Sequence, residues 1–364
     1  MLNTKIEWTN HTVNFWWGCK KKSPACANCY AEALDKRYHG GVNWQGKRMP
    51  RLEKARAECL KLERRALKLR ECYRQELANP YKPTHEAAEE ACRVLCFVES
   101  MGDWLDPDVP IEWLVYLLET IQLCPHVTFQ LLTKSPELWQ IQMGVADLWA
   151  AGYRDGQTSD DPTAPEHPSS DWIHMWSCHI GAPKNVWIGA TVENQEMADE
   201  RIPELLKIPA RDRFLSCEPL LGPIDLDFFM KPLAHIPGNE FGWAKGIDWV
   251  ICGGESGPKA RPMHPDWARS LRDQCKAAGV PFFFKQWGEW LPCTQIADGD
   301  VSFDHAAYAF VGKNGHVNLA DNSGSFEFQN GVEEQVFRCG KARSGHLLDG
   351  VEYHEFPCVE GGQS

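Results

Sequence analysis

One stretch near the amino terminus decides the fold: Trp17-Gly18-Cys19-Lys20-Lys21-Lys22-Ser23-Pro24-Ala25-Cys26-Ala27-Asn28-Cys29-Tyr30. It continues an apolar run at 11–17 that predicts a first β-strand. Gly18 relieves backbone crowding where that strand ends, and Pro24 restricts the loop that follows. The spacing C-x6-C-x2-C therefore places three thiols on one short loop at the carboxyl end of a strand.

The rest of the chain repeats a strand-then-helix rhythm. Apolar runs typical of buried strands occur at 11–17, 93–99, 127–133, 186–192, 213–217, 249–252 and 281–285. Helical patterns lie between several of them, at 111–123, 196–206 and 266–278. Near-continuous apolar strands alternating with helices indicate a parallel sheet covered by helices. We therefore expect an α/β fold, a partial (β/α) barrel of about six to seven parallel strands.

The same rhythm divides the chain into two parts. Residues 1–290 form the predicted barrel, with a charged helical insertion at 43–91, an irregular insertion rich in Pro, Ser, Asp and Trp at 145–184, and a shorter one at 228–246. Residues 291–364 become Gly-rich and polar, with strand-like pieces at 307–311 and 325–328. We interpret them as a C-terminal extension that serves as a cap.

Composition excludes several classes of protein. No apolar stretch is long enough to span a membrane, and the amino terminus lacks a signal peptide, so we expect a cytoplasmic protein. Fifteen cysteines without a signal peptide favour reduced thiols or a metal site over disulfides. Four of them lie in apolar runs and are expected to be buried: Cys92, Cys96, Cys124 and Cys252. A net charge of −12 argues against nucleic acid binding over the whole surface.

Positive charge is nevertheless concentrated in one segment. Residues 47–74 contain eleven Lys and Arg against four Glu. Such a segment contacts phosphates, or it is a solvated helix with i,i+4 ion pairs, and its sequence leaves both open. The candidate nucleic-acid contacts are Lys61, Arg64, Arg65, Lys68 and Arg70.

The three loop cysteines suggest an iron–sulfur cluster. Cys19, Cys26 and Cys29 can bind three irons of a [4Fe–4S] cluster and leave the fourth iron open. In radical S-adenosylmethionine (SAM) enzymes that open iron takes the amino and carboxylate groups of SAM. A zinc site remains an alternative, with His11 or His39 as a further ligand. The remaining alternative is three unrelated buried cysteines.

Polar motifs follow the predicted strands at their carboxyl ends. They are Glu99-Ser100, Thr133-Lys134, Glu193-Asn194, Cys217-Glu218, Gly253-Gly254-Glu255 and Lys285-Gln286. A parallel barrel gathers such residues into one mouth, here next to the cysteines. For Cys217 a core thiol is favoured over a hydrogen donor. Any single residue of the set can instead be a structural ion pair or a helix cap.

Roles for these residues follow from their chemistry. The cofactor-binding candidates are Glu99, Ser100, Lys134, Glu193, Asn194, Gly253 and Gly254. A carboxylate such as Glu99 suits the amino group of SAM, and Lys134 suits its carboxylate. Glu193 and Asn194 suit the ribose hydroxyls, and the glycine pair allows close backbone approach. The catalytic candidates, for substrate or proton handling, are Glu218, Glu255 and Lys285.

Several motifs together carry a resemblance to a known group. Besides the cysteine loop they are Leu131-Leu132-Thr133-Lys134, Val192-Glu193-Asn194-Gln195, Phe214-Leu215-Ser216-Cys217-Glu218-Pro219-Leu220-Leu221-Gly222-Pro223, Gly253-Gly254-Glu255-Ser256-Gly257 and Phe283-Phe284-Lys285-Gln286-Trp287-Gly288. In this order they resemble the phage-encoded three-cysteine-motif family of uncharacterised proteins, a divergent radical-SAM-like group. The resemblance implies a barrel of the radical SAM type and a location in the host cytoplasm. It implies no particular reaction.

The resemblance to phage proteins makes nucleobases attractive substrates. We expect an isomerase or lyase that rearranges or repairs a modified pyrimidine (thymidine) in phage DNA, with the base flipped into the mouth. Such an enzyme needs a reductant such as flavodoxin or ferredoxin. One alternative is a radical SAM enzyme acting on a free small molecule. The other is a zinc-stabilised nucleic-acid-binding protein without catalysis.

Overall fold

The computed structural model describes residues 4–44, 46–79, 81–82, 84–152, 167–230, 246–296, 307–319 and 333–357. Its strands up to the extension are β1 (His11–Val13), β2 (Trp16–Trp17), β3 (Met49–Pro50), β4 (Leu95–Val98), β5 (Thr128–Thr133), β6 (Val186–Thr191), β7 (Asp212–Cys217), β8 (Trp249–Gly253) and β9 (Phe282–Gln286). One seven-stranded parallel sheet has the order β1-β4-β5-β6-β7-β8-β9, whereas β2 and β3 form an antiparallel ribbon. The sheet curls into a half-barrel, so the predicted α/β partial barrel is confirmed.

The helices of the described chain are α1 (Tyr30–His39), α2 (Leu52–Cys72), α3 (Arg74–Leu77), α4 (His85–Cys92), α5 (Ile111–Gln122), α6 (Trp139–Ala150), α7 (Ser170–Ser177), α8 (Gln195–Lys207), α9 (Asp227–Met230), α10 (Pro265–Ala278) and α11 (Lys341–Ser344). Of these, α2, α8 and α10 contact strands of the large sheet, whereas α11 contacts β10 of the C-terminal extension. Helices α5, α8 and α10 confirm the three predicted helical patterns. Gly279 ends α10 in the left-handed conformation (φ 68°) that favours glycine at this position. No described helix combines the length and the apolar character that crossing a membrane requires.

The insertions differ in how well their sequence predicts them. The charged insertion at 43–91 is mainly helical, as expected, and contains α2, α3 and α4. In the insertion at 145–184, the prediction of irregular structure is wrong for α7, because Ile173 and Trp176 bury one helical face. Trp176 stacks on Trp104 of the barrel, with ring centroids 6.5 Å apart. Residues 153–166 and most of the insertion at 228–246, namely 231–245, lie outside the described residues.

Inward-facing side chains fill the concave side of the sheet with an aromatic floor. This cluster consists of Trp8, Leu95, Phe97, Trp187, Phe214, Trp249, Ile251 and Phe283. The alternate residues of the same strands point outward into the main hydrophobic core beneath the helices. Gly189 makes room for the floor, since a Cβ there would lie 2.4 Å from the Phe214 ring. The half-barrel therefore has a packed interior.

The cysteines that lie in apolar runs of the sequence are buried in the interior of the fold. Cys92, Cys96, Cys124 and Cys252 are all buried, as expected. Cys217 is fully buried in the main hydrophobic core, which agrees with a core thiol. Burial raises the pKa of the Cys217 thiol well above its usual range. These thiols are structural, and the loop cysteines form a separate set.

The C-terminal extension builds a second, antiparallel sheet. Its strands are β10 (Trp290–Pro292), β11 (Tyr308–Gly312), β12 (Val317–Leu319) and β13 (Glu333–Arg338), in the order β10-β13-β11-β12. The chain then runs along the edge of β9, where the Phe284 amide donates to the Tyr353 carbonyl at 2.8 Å. The described extension therefore covers the free edge of the large sheet, which would otherwise be open to pairing with another chain. Its role as a cap stays a prediction, and the strand expected at 325–328 lies outside the described residues.

The buried His11 in β1 gives the fold a defined sensitivity to acid. Burial, assisted by the positive charge of Arg65, lowers the pKa of His11 to about 4. Because this folded-state pKa lies below that of an unfolded histidine, the unfolded chain takes up the proton first as the pH falls. Stability contributed by neutral His11 is therefore lost progressively between pH 7 and pH 4.

We predict that the free energy of unfolding falls by about 2 kcal/mol between pH 7 and pH 5 on account of His11 alone. Urea denaturation of the wild type and His11→Gln at the two pH values measures this difference. The exposed His316 supplies a control, His316→Gln. Equal pH dependence of the wild type and His11→Gln would show that His11 does not carry the effect.

Candidate metal and cofactor site

The cysteine loop leaves β2 through a position that only glycine fits. Gly18 has φ +119°, and a Cβ there would lie 2.5 Å from the Asn43 carbonyl oxygen. Its amide donates to the Met101 carbonyl oxygen at 3.0 Å, at the carboxyl end of β4. The loop then forms a short 3-10 helix, Pro24–Cys26, and Cys29 directly precedes α1. The loop thus lies at the carboxyl ends of the sheet strands, although the single strand predicted at 11–17 is divided into β1 of the sheet and β2 of the ribbon.

The three thiols are free but do not converge on one point. Cys26 is buried, whereas Cys19 and Cys29 are partly exposed. Burial, with the Asp103 carboxylate nearby, raises the pKa of Cys19 to about 12. In the described part of the chain, no trio of metal-ligating atoms that includes these cysteines lies within 4.8 Å. His39 instead hydrogen-bonds Asp35 through Nδ1 at 3.1 Å.

Glu193 ties the cysteine loop to the sheet. The residue follows β6 and is fully buried, and its Oε1 accepts a hydrogen bond from the Ala25 amide at 3.1 Å. Its Oε2 lies 3.0 Å from Nη1 of Arg201, which is also buried on α8. The same Nη1 donates to the Thr191 carbonyl oxygen at 2.7 Å. Glu193 thus positions the loop, and its predicted contact with a ribose stays a prediction.

Glu255 holds the other side of the loop. This carboxylate follows β8 and accepts from Asn28 Nδ2 at 3.1 Å. Arg261 donates to Glu255 through Nε at 2.9 Å and Nη2 at 2.7 Å, a bidentate pair. Arg261 Nη2 also reaches the Pro24 carbonyl oxygen at 3.0 Å. Glu255, predicted as catalytic, is therefore placed to position the loop that carries the cysteines.

Glu218 and Lys285 form an ion pair on the inner face of the mouth. Lys285 Nζ lies 2.9 Å from Glu218 Oε1, and both side chains are largely shielded from solvent. Trp8 Nε1 donates to Glu218 Oε2 at 3.0 Å, and Ser216 Oγ lies 3.3 Å from the same oxygen. Gly253 borders this pair, since a Cβ there would lie 3.0 Å from Glu218 Oε1. The catalytic candidates Glu218 and Lys285 therefore lie next to Gly253, a cofactor-binding candidate.

Gly254, unlike Gly253, is required for close packing of the backbone. A Cβ at Gly254 would lie 1.9 Å from the Trp287 carbonyl oxygen, which no side-chain movement can relieve. Its amide donates to the Gln286 carbonyl oxygen at 2.8 Å. The glycine thus permits two backbone segments to pack closely after β8 and β9. Close approach of a ligand, predicted for both glycines, is compatible with the surroundings of Gly253 only.

Glu99 is a buried carboxylate, and only one of its two oxygens has a hydrogen-bond partner among the described residues. It adopts φ 62°, a strained conformation for a residue with a side chain, and is 1% exposed. Its Oε1 accepts a hydrogen bond from the Phe15 amide, whereas Oε2 has no partner among the described residues. Burial raises the pKa of Glu99 well above its usual range. Gly102 packs closely against this carboxylate, because a Cβ there would lie only 3.1 Å from Oε2.

The other predicted cofactor ligands differ in whether their side chains already have partners. Lys134 is bound through its amide to Asp103 Oδ2 at 2.9 Å, and its ammonium group pairs with no carboxylate in the described ranges. Ser100 Oγ accepts from Asn14 Nδ2 at 3.2 Å. Asn194 caps α8, since its Oδ1 accepts from the Met197 amide at 3.0 Å. Lys134 is thus the cation of this set that can take an anionic ligand.

The basic helix α2 lies mostly away from this mouth. Arg51, just before α2, donates from its amide to the Phe15 carbonyl oxygen at 2.7 Å, at the carboxyl end of β1. Further along α2, Glu63 Oε2 accepts from the His126 amide at 3.1 Å, at the loop that enters β5. The helix therefore descends toward the amino ends of the strands. Arg65 is fourteen residues from Arg51, which corresponds to about 20 Å of helix.

Four of the five predicted nucleic-acid contacts form one exposed stripe. Spacing of i, i+3, i+4 and i+7 places them on the same helical face: Lys61, Arg64, Arg65 and Lys68. None of the four forms an ion pair with a carboxylate of the described chain. The fifth, Arg70, forms an ion pair with Glu89 at 3.0 Å. Arg70 is therefore paired with α4, whereas contact of the other four with phosphates stays a prediction.

Some residues that organise the site are not marked by the sequence pattern. Arg201 and Arg261 hold the two clamping carboxylates, and Trp8 orients Glu218. Arg201 lies eight residues beyond Glu193, two helical turns away, and an arginine among the apolar positions of α8 is the available signal. Arg261 and Trp8 follow no helical or strand periodicity that relates them to their partners.

The geometry defines a class of protein, a parallel half-barrel with a three-thiol loop clamped over a polar mouth. The family described as "Protein of unknown function (DUF5131)" matches residues 3–357, and the chain belongs to this family. No curated protein and no solved structure matches the chain. The family description gives no reaction, so the radical SAM relationship and the phage origin stay predictions.

We predict that Arg261→Lys loosens the cysteine loop, because lysine cannot reproduce the bidentate contact with Glu255 or reach Pro24 at the same time. The buried Cys26 should then react with iodoacetamide about tenfold faster, corresponding to the loss of about 1.4 kcal/mol of charge-assisted hydrogen bonding. Mass spectrometry of alkylated peptides measures this rate in the metal-free protein.

The control is Arg269→Lys. Arg269 lies on α10 and forms a similar arginine–carboxylate ion pair with Asp349. This variant should leave the alkylation rate of Cys26 unchanged. An unchanged rate in Arg261→Lys as well would mean that the clamp does not fix the loop.

Proposed function

We propose that this protein is a radical SAM enzyme, with a [4Fe–4S] cluster bound by Cys19, Cys26 and Cys29, that acts on a nucleobase. The observation that supports it best is the double clamp on the cysteine loop. Glu193 and Glu255 come from separated strands, and both hydrogen-bond the short segment that carries the thiols. Such anchoring is needed where a metal group must keep a fixed position relative to a substrate.

The donor set fits a cluster better than a single zinc ion. Tetrahedral zinc with Zn–S bonds of about 2.3 Å holds its sulfurs about 3.8 Å apart. The three described thiols do not all lie within 4.8 Å of one another, so at least one pair is further apart than that. A cluster accepts one thiolate at each of several iron atoms and so suits separated donors. When bound, the cluster and SAM together supply one-electron chemistry.

Two groups at the mouth fit the amino acid part of SAM. The Oε2 of Glu99, which has no partner among the described residues, can accept a hydrogen bond from an ammonium group. The Lys134 ammonium can bind a carboxylate, because no described acid neutralises it. Both residues lie at the ends of adjacent strands, β4 and β5. Glu99 and Lys134 would therefore orient the two charged ends of one amino acid.

The pair of Glu218 and Lys285 suits proton handling on a substrate. Glu218 Oε1 holds the Lys285 ammonium group at the mouth through an ion pair of 2.9 Å. Trp8 and Ser216 fix the carboxylate from the other side, so the pair has a defined orientation. A proton held on Lys285 Nζ can pass to a substrate carbonyl or ring nitrogen, groups that nucleobases present.

The location of the substrate separates two versions of this proposal. In the first, the base belongs to DNA, the exposed stripe of α2 binds phosphates, and the base flips into the mouth. In the second, the substrate is a free small molecule such as a nucleotide. The second is favoured by one observation, that the stripe lies about 20 Å along α2 from the mouth. To contact the α2 stripe and the mouth at the same time, a DNA duplex must run along the outside of the half-barrel.

We predict that anaerobically purified and reconstituted protein contains about four irons and four sulfides per chain and, with dithionite and SAM, forms 5′-deoxyadenosine. Single Cys19→Ala, Cys26→Ala and Cys29→Ala variants should lose both properties. Cys72→Ala, at an exposed cysteine at the end of α2, is the matched control and should retain them. Iron and sulfide assays and chromatography of the nucleoside provide the readouts.

Stoichiometric zinc with intact SAM would overturn the radical proposal. The zinc-stabilised binding protein would then take its place. Iron and deoxyadenosine formation that persist in one of the three cysteine variants would remove that residue from the ligand set.

We predict for the DNA version that Arg64→Glu/Lys68→Glu weakens binding to duplex DNA at least tenfold and lowers the salt slope by about two, since two phosphate contacts are lost. Fluorescence anisotropy at several salt concentrations measures both quantities. Lys207→Glu/Lys276→Glu changes the net charge equally on α8 and α10 and should bind nearly as the wild type does. Equal binding by both double variants would favour the free nucleotide.

A further inference from the structure

A second group of metal-ligating side chains lies in the helical layer, between α6 and α7. It consists of Asp147 on α6, His174 on α7, and Cys178 at the end of α7. One ligand atom from each side chain lies within 4.8 Å of the other two. None of these three residues takes part in the cysteine loop or the mouth. The group therefore requires an explanation of its own.

The distances are close to those of a single tetrahedral ion. His174 Nδ1 lies 3.0 Å from Asp147 Oδ2 and 3.7 Å from Cys178 Sγ. For zinc, bonds of about 2.0–2.2 Å to nitrogen and oxygen and 2.3 Å to sulfur place these pairs about 3.4 and 3.6 Å apart. Both His174 distances thus lie within a few tenths of an ångström of those around a zinc ion, and Asp147 and Cys178 have ligand atoms within 4.8 Å of each other.

Local structure orients each ligand. His174 and Cys178 are four residues apart, so they lie on one face at the last turn of α7. Ser177 Oγ donates to Asp147 Oδ2 at 3.0 Å and fixes the carboxylate, as outer hydrogen bonds do in metal sites. A hydrogen bond between aspartate and histidine alone requires neither the thiol nor the serine. His174 and Cys178 are exposed, so an ion can reach them from solvent.

We propose that Asp147, His174 and Cys178 bind one divalent transition-metal ion, with zinc as the natural candidate and solvent in the fourth position. A thiolate, an imidazole and a carboxylate form a donor set that suits zinc or cobalt. Magnesium and calcium require more oxygen ligands than the group provides. Binding releases the thiol proton to solvent and connects α7 to α6.

The test uses Co²⁺ as a spectroscopic probe on the metal-free, reduced full chain. The wild type, Cys178→Ser and the control Cys72→Ser are titrated in parallel, so that any cobalt at the cysteine loop is common to all three. We expect the wild type and the control to bind one more Co²⁺ per chain than Cys178→Ser. The difference spectrum should contain near-ultraviolet thiolate-to-cobalt absorption and visible bands of a tetrahedral ion.

Further variants test the individual contacts. His174→Gln, at an exposed position, should lose the same cobalt ion and so checks the result independently of the thiol. Ser177→Ala should weaken binding about tenfold without changing the stoichiometry, because it removes only the orienting hydrogen bond. Equal stoichiometry and superimposable spectra for the wild type, Cys178→Ser and His174→Gln would overturn the proposal.

Discussion

The structure depends on the two-residue alternation of side chains along parallel strands that curl in one direction. Each strand sends one set of residues outward beneath the helices and the other set into the concave side. Along β7 and β8 the inward set begins with Phe214 and Trp249 and ends with Glu218 and Glu255. Apolar area is thus buried at one level, and the polar groups gather at the level above. A shift of one residue in any strand would exchange core and mouth.

Much of this arrangement can be predicted from the sequence, because it follows from periodicity. The seven strands, their parallel order and the positions of Glu99, Glu193 and Lys285 at their carboxyl ends all result from local patterns. The partners of these residues do not. Arg261 and Trp8 reach the site from a loop and from the amino-terminal segment, and nothing local relates them to Glu255 or Glu218.

The sequence also leaves the use of each carboxylate undetermined. Glu193 and Glu255 look equivalent to Glu99 and Glu218 in the strand pattern, yet their oxygens are bound to the cysteine loop and to arginines. Long-range contacts decide which acid is bound to the loop and to an arginine and which one, like Glu99, keeps an oxygen without a partner among the described residues. The direction of α2 is a similar case, because composition identifies the basic face but not the end of the barrel at which it lies.

The aromatic floor joins the two ends of the described chain. Trp249 has its ring centroid 6.3 Å from that of Trp8 and 5.1 Å from that of Phe356. Trp249 is 241 residues from Trp8 and 107 residues from Phe356 along the chain, so the contacts that close the interior have large sequence separation and carry a high loop-closure cost. The half-barrel therefore acquires its complete interior late in folding, when the C-terminal segment docks on β9. Until then the inner aromatic surface is accessible to chaperones and to other unfolded chains.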